Sequence, residues 1–578
     1  MGRAGRRLTS RYPLAFPSDE ASSWRRIRKY AVPLPMIEQA TERRLAGDWR
    51  GACAAARVDV DFDLTGLAQQ HGAETAASLE EDLWHFAPDL LRWHLPRWLR
   101  GRTTQRPNQC VILGGGDGRY LYATTSAMID GPQRLTLSFG AINSKQYSWK
   151  HSQVQDWRFA RHLWDARHAD ELLRHCGGIR APFRNVDGTP RTADQLPTRD
   201  PGTGDPVGHT EWITLLYDRG NIAEAFAASG ITLDDTPPQA RFYSPPPLLD
   251  VLTRNPLALT RLEAVVRRLA KAGLGDHFLV RIQNRGDRLA PLLLKPNTGT
   301  PGLTLRVGQW DSLDGMYPIP EASWRRLPDL DLLRFGDIAP DELHPLIGAS
   351  LFPERPSQRT DGPLGPAVQP SAPVRVRCRG GWHWVQSRNG RLDIPHTEEE
   401  ERRERAIRAF GGPVTGCFAA QQAWTSGAGR LPKALREQRE ELFARIQHGD
   451  TAEVLRLLDA GVDPHLRDGR QRTLLHVLHL LDHKLMLARL LGAGLDLEAQ
   501  DHHQRTPLHV AVGEGSVSLV HALLDAGART DAVDHQDRSL ASVIIQHKRK
   551  ELRFLRDAVL RDHPHLITRY PTWGDLDD

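Results

Sequence analysis

From Leu435 onward, apolar residues recur at helical spacing, and the same short words interrupt them every 33 residues. "TPLH" at Thr506–His509 falls 33 residues after "TLLH" at Thr473–His476. "LLDAG" at Leu457–Gly461, "LLGAG" at Leu490–Gly494 and "LLDAG" at Leu523–Gly527 keep the same step, as do Asp468, Asp501 and Asp534. Each period predicts two short helices. "TPLHVAV" opens the first, with the Thr hydroxyl set to receive free N–H groups and Pro at the position whose own N–H would go unpaired. "SLVHALLDAG" forms the second and ends on a Gly suited to a left-handed cap. One such pair cannot bury its apolar face alone, so the pattern requires stacked neighbours.

A 33-residue period with these words resembles the ankyrin-repeat family, over about Leu435 to Leu560. The match is carried by Thr506, Pro507, Leu508, His509, Leu523, Leu524 and Gly527. The family usually has Gly two residues before the Thr, where this chain has Gln471, Gln504 and Asp537. The turn between the helices keeps Gly at Gly449 and Gly515 but has Asp482 in the second repeat, and "SLAS" at Ser539–Ser542 replaces TPLH in the last. The resemblance implies two good internal repeats between two capping units. It also implies a protein partner, gripped by hairpin tips reading "DGRQR", "DHHQR" and "DHQDR". The candidate partner-binding residues are therefore Asp468, Arg470, Arg472, Asp501, His502, His503, Arg505, Asp534, His535 and Arg538. Solvated turns are the bland alternative.

The N-terminal part alternates helical stretches with short apolar and β-branched runs bounded by Gly, Asp and Pro, an α+β pattern. It also matches itself. "AGDWRGACAAARVDVDFDL" from Ala46 parallels "RGNIAEAFAASGITLDD" from Arg219, and "LTLSFG" at Leu135–Gly140 parallels "LTLRVG" at Leu303–Gly308. Trp157 is matched to Trp324, and "ADELLRH" at Ala169–His175 to "PDELHPL" at Pro340–Leu346. The expected fold is multidomain: duplicated α+β modules followed by an all-α ankyrin-repeat solenoid. Residues 1–32 form a basic arm, 33–180 and 207–352 the two modules, 181–206 a linker between them, and 353–373 a Pro-rich linker. Residues 374–434 make a β-hairpin, turning at Asn389-Gly390, and a helical connector. The repeats span 435–562 (435–467, 468–500, 501–533 and 534–562), and 563–578 is a tail. Thr397 with Glu400 is a capping box at the head of the connector helix. Residues 1–434 match no known family by their motifs.

Composition changes this picture little. The chain has 578 residues, a net charge of +5, 40% hydrophobic and 25% charged residues, all ordinary for globular domains. The basic start lacks an apolar core segment, so a secretory signal is not expected, and no run is long enough to span a membrane. Five scattered cysteines (Cys53, Cys110, Cys176, Cys378 and Cys417) without a CxxC pair argue against a disulfide framework and for a reducing cytoplasm. The preference for Arg over Lys suggests a high-GC bacterial source.

Candidate chemistry reads mostly as structure. "GGGDGR" at Gly114–Arg119 lacks the GK[ST] of a phosphate loop and is expected to be a hairpin turn, as is "NRGDR" at 284–288. "DVDFDL" at Asp59–Leu64 mimics a calcium loop but has Leu64 where Gly is needed. His476, His479 and His483 lie at helical spacing without a fourth ligand, so no metal site is assigned. His209, Thr210 and Glu211 mark no nucleophile. "HFAPDLLRWHLPRWLRGR" is expected to be an amphipathic helix with core Trp and a solvated face of Arg92, Arg97, Arg100 and Arg102, rather than a nucleic-acid groove. No catalytic residue, cofactor or metal ligand is assigned, and no motif names a small molecule. The leading expectation is a cytoplasmic protein-interaction scaffold. An enzyme or effector with its active site in 33–352, using the repeats for targeting, is the alternative. Nucleic-acid binding through the basic N-terminal region is a weaker one.

Overall fold

A computed structural model of the protein describes residues 13–99, 103–128, 131–143, 154–236, 247–281, 291–308, 313, 316–355, 372–388 and 391–566. The chain divides into two compact units. The first comprises Met1–Ala127 and Arg134–Leu364, the second Met128–Gln133 and Gly365–Asp578.

The first unit holds two five-stranded mixed sheets. One contains β1 (Val58–Val60), β2 (Cys110–Gly116), β3 (Arg119–Thr125), β4 (Leu135–Gly140) and β5 (Val154–Asp156), in the order β1-β4-β3-β2-β5. The other contains β6 (Ile231–Asp234), β7 (Phe278–Val280), β8 (Leu292–Pro296), β9 (Leu303–Val307) and β10 (Tyr317–Pro318), in the order β10-β7-β8-β9-β6. Read from the other edge, the second order is that of the first. The senses agree too: the outer pairs are parallel and the two central pairs antiparallel. Val58 sits opposite Leu135 in one sheet, and Ile231 opposite Leu303 in the other. Each sheet is entered through two helices broken by a left-handed Gly and an Asp or Asn: Gly47-Asp48 and Gly220-Asn221. "GGGDGR" is the two-residue turn between β2 and β3, with positive φ at Asp117 and Gly118, a conformation that twists with the strands. "NRGDR" lies outside the described residues.

Several expectations fail for one reason, which is that contacts distant in sequence override local pattern. The Ala87 N–H donates to the Trp164 carbonyl, and the Ala258 N–H to that of Trp324, both at 2.8 Å. In this bond Trp324 parallels Trp164 rather than Trp157. The helices Pro328–Arg334 and Pro345–Leu351 pack into the core of the first sheet with Trp93, Trp164 and Leu172, although they follow the second sheet in sequence. The segment 181–206 is anchored, not free: the Arg180 guanidinium and the Phe183 N–H both bond the buried Glu211 carboxylate. The N-terminal basic stretch includes a helix, Ser18–Tyr30, whose Trp24 and Arg28 are buried. Arg92 and Arg97 are buried as well, so they cannot present a solvated face or reach phosphates. Arg3, Arg6, Arg7, Arg11, Arg100 and Arg102 lie outside the described residues.

The second unit opens with a three-stranded antiparallel meander of β11 (Val374–Cys378), β12 (Gly381–Arg388) and β13 (Arg391–Asp393). The sequence disclosed only one of its turns. Arg388 pairs with Arg391 around residues 389–390, which lie outside the described set, and a second tight turn at Arg379-Gly380 has positive φ at both residues. Thr397 and Glu400 form the expected capping box on the helix Glu398–Ala409. Helices Gly416–Ser426 and Lys433–Gln447 follow.

Then come the repeats. Helix pairs Pro507–Glu514/Val517–Asp525 and Leu540–Gln546/Arg553–Asp562 match the pattern. The second repeat departs from it. Thr473–His479 makes turns and a single 3₁₀ segment, Leu478–Leu480, before Asp482 caps His483–Gly492. This segment makes no α-helix, although Leu540–Gln546, which also lacks the Pro at the first helical position and a following Gly, does. Leu508 and Leu523 are buried and Leu524 packs partly buried against the same core. That core runs from Val376 in the meander to Val559, so meander, connector helices and repeats share one apolar interior.

Gln471, Gln504 and Asp537 have φ of 61°, 57° and 55°, the left-handed region that favours Gly. Substitution Gln504→Gly is therefore expected to stabilise the second unit by about 0.5–1 kcal/mol. The check is a rise in urea midpoint with an unchanged denaturant slope.

Candidate functional site

The tips of the repeats are built by one device used three times. The Asp468 carboxylate accepts the N–H groups of Arg470 and Arg472 at 2.8 and 2.9 Å, and Asp501 those of His503 and Arg505 at 2.8 and 3.0 Å. Asp534 accepts those of Gln536 and Arg538 at 2.9 and 3.1 Å. The second oxygen of each pairs with the guanidinium four residues on: Arg472 at 2.7 Å, Arg505 at 2.7 Å and Arg538 at 2.6 Å. The three carboxylates are buried. Their hydrogen bonds and guanidinium partners hold Asp501 and Asp534 below the usual carboxylate range against the opposing effect of burial. These six residues spend their polar atoms on shaping the turn.

The others of the ten face outward. Arg470, His502 and His535 are exposed and His503 is half-buried. The tips are linked across repeats. The His502 N–H donates to the Arg470 carbonyl at 3.0 Å, and the His535 N–H to the His503 carbonyl at 2.9 Å. The rings follow: His502 and His503 have centroids 3.7 Å apart, His503 and His535 4.5 Å. The ladder of backbone bonds sets Arg470, His502, His503 and His535 in a row along one edge.

Behind that edge, His476 and His509 brace the stack. The Thr473 hydroxyl lies 2.8 Å from His476 Nδ1, and His476 Nε2 donates to the Arg505 carbonyl of the next repeat at 2.8 Å. His509 Nδ1 lies 3.0 Å from the Thr506 hydroxyl. Burial drives both imidazoles down to about 4, so both are neutral at pH 7. His479 is buried beside the His476 carbonyl, and His483 begins the following helix. The three do not share a helix face.

A further cluster escaped the sequence reading. Cys378 ends β11, His383 lies in β12, His396 follows β13 and Cys417 sits in the first turn of Gly416–Ser426. One ligand atom from each lies within 4.8 Å of all the others. His383 Nδ1 is 3.2 Å from His396 Nε2, Cys378 Sγ is 3.6 Å from His396 Nε2, and Cys417 Sγ is 3.5 Å from His383 Nδ1. Burial, then the neighbouring Cys378, pushes the Cys417 thiol up to about 12. The signal in the sequence is "CRGGWH", a Cys and a His with four residues between them around the Arg379-Gly380 turn; looking only for CxxC passes over it.

In the first unit, the other motifs serve structure. Asp59 pairs with Arg134, Ser138 donates to Asp61, and Asp63 caps the helix Leu64–His71. Several buried polar groups there are paired: Arg28 with Asp329, Arg180 with Glu211, His344 with Asp89. A cavity of about 60 Å³ in the same unit is lined among others by His175, Tyr217, Arg261, Arg326 and Asp331. All five cysteines are free and buried. Among the described residues, no helix is long and apolar enough to cross a membrane.

Residues 442–534 match the family model described as ankyrin repeats in three copies. No curated protein matches the chain.

Proposed function

Since residues 442–534 are ankyrin repeats, a family that commonly mediates protein–protein interaction, we propose that this chain is an interaction scaffold whose repeats hold a protein partner. The observation that carries the reading is the division of labour at the tips. Buried Asp–Arg pairs fix each turn, and the backbone ladder aligns Arg470, His502, His503 and His535 along one edge, where His502 and His535 each turn Nδ1 to the preceding tip's carbonyl and keep Nε2 for a partner. A preset edge of this kind binds without first ordering its loops. Guanidinium and imidazole groups fit a partner surface that offers carboxylates or carbonyl oxygens.

The meander and connector helices share the core of the repeats, so a minimal binding fragment begins in the linker, near residue 372. The triple variant Arg470→Ala/His502→Ala/His535→Ala is expected to weaken partner capture by the full chain at least tenfold while leaving its thermal unfolding in place. Unaltered capture by that variant would remove the tips from the binding role.

The two halves of the first unit are read here as copies of one α+β module. The shared strand order, the shared strand senses and the two Gly-Asp/Asn helix breaks support this. Buried Arg92 and Arg97 weigh against a nucleic-acid groove in that unit.

A further inference from the structure

We propose that Cys378, His383, His396 and Cys417 bind one Zn²⁺ ion in a closed, structural site that pins the meander to the helix leading into the repeats. The donor set is two thiolates and two imidazoles, the composition that selects zinc in tetrahedral structural sites. Three of the six donor–donor edges, one N···N and two of the four S···N, match a zinc tetrahedron, and all six are within 4.8 Å. A tetrahedron with Zn–S of about 2.3 Å and Zn–N of about 2.0–2.1 Å has N···N edges of about 3.3 Å and S···N edges of about 3.5 Å. The N···N separation here is 3.2 Å and the two S···N separations are 3.5 and 3.6 Å.

Three surrounding features suit an ion. Gly416 has φ 62°, and a Cβ there would lie 2.5 Å from Cys378 Sγ, so only Gly lets the helix bring Cys417 this close to Cys378. His396 turns its other nitrogen, Nδ1, to the Glu400 carboxylate at 3.3 Å, the arrangement that fixes a ligating imidazole and raises its basicity. Glu400 is itself held by the Thr397 N–H of the capping box. The rival cluster of His162, Glu171 and His175 lacks these traits. Burial chiefly depresses both of its imidazoles, and the nearby Arg261 and Arg268 add to this and disfavour a cation there.

The site has four protein ligands and leaves no position open, so its role is to hold the fold together. Four successive parts of the chain (β11, β12, the segment after β13 and the helix Gly416–Ser426) meet at one point. The meander is small, and the ion supplies cohesion that its few buried apolar side chains, Val376, Val385, Leu392 and Ile394, lack. Binding displaces the two thiol protons to solvent as the thiolates coordinate; no electron transfer is involved.

The test uses the full chain produced without a polyhistidine tag. Expected are one zinc per chain by elemental analysis, and, after exchange to Co²⁺, the ligand-field and thiolate charge-transfer bands of a tetrahedral S₂N₂ centre. A strong chelator should lower the unfolding temperature of the second unit. The variant Cys378→Ser/Cys417→Ser should lose the metal and the cobalt spectrum; His162→Gln/His175→Gln should keep both. Wild-type chain that binds neither zinc nor cobalt, and whose unfolding is indifferent to chelator, would overturn the proposal even if the cysteine variant fails to fold. So would full metal content in the cysteine variant, or a Cys378–Cys417 disulfide in chain isolated without reductant.

Discussion

Lowering the pH from 6.5 to 4 should strip the repeat array of roughly 3 kcal/mol for each of two histidines, His476 and His509. In the folded chain both imidazoles are driven to about 4, chiefly by burial; in the unfolded chain they titrate near 6.5. Above pH 6.5 both states are neutral and the full stability is present. Below it the unfolded chain takes up protons that the folded chain refuses, so stability falls with falling pH until about 4, where both states are charged and the loss ends. The structural cause is the proton pattern of the TxxH unit. His476 Nε2 donates to the Arg505 carbonyl, leaving Nδ1 as acceptor toward Thr473. A proton on Nδ1 would face the Thr473 N–H. The measurement is hydrogen exchange of the amides in Pro507–Glu514 across this pH range. Protection should fall steadily in the wild type, and the profile should flatten in His476→Asn/His509→Asn, which starts less stable. A wild-type profile already flat between 6.5 and 4 would refute the mechanism.

What the sequence revealed about the repeats follows from how local they are. Thr506, Pro507, Leu508 and His509 define a helix start within four residues, and the 33-residue step repeats it, so nothing distant is needed to read them. The tips were legible as turns but not as machinery. That the carboxylate of Asp501 is buried under the Arg505 guanidinium depends on the chain folding back through a left-handed Gln504. The Asp117-Gly118 hairpin was legible for the same local reason. The Cys–His cluster was not, because its ligands come from four elements at uneven spacing, and only folding brings Cys417 to Cys378. Charge in the first unit misled most. Arg92 and Arg97 read as solvated because Arg is usually exposed, and Arg28, in the basic arm, is buried by a partner 301 residues along the chain.

That distant partner underlies the second large effect. Arg28 donates from Nε and Nη2 to the two oxygens of Asp329 at 2.7 and 2.8 Å, and from Nη1 to the Trp93 carbonyl at 2.7 Å. The Trp93 indole N–H reaches the same carboxylate at 3.3 Å, and the guanidinium lies over the Trp93 ring, 4.4 Å from its centroid. With side-chain exposures of 4% and 0%, neither charge has water to fall back on. Asp329→Ala leaves the cation buried and unmatched, and should cost about 3–5 kcal/mol in the first unit. Removing both charges while keeping the volume, as in Arg28→Met/Asp329→Leu, should recover most of that loss, because the pair repays its own desolvation only narrowly. Urea unfolding of the wild type and these two variants measures both quantities. The pair ties the helices Ser18–Tyr30, Pro88–His94 and Pro328–Arg334 at one point. Asp329→Ala should therefore also speed hydrogen exchange in Pro328–Arg334, the helix that follows the second sheet yet packs into the core of the first. A single-variant loss under about 1 kcal/mol would mean the guanidinium finds solvent by local rearrangement, and that the charges are not what holds this helix in place.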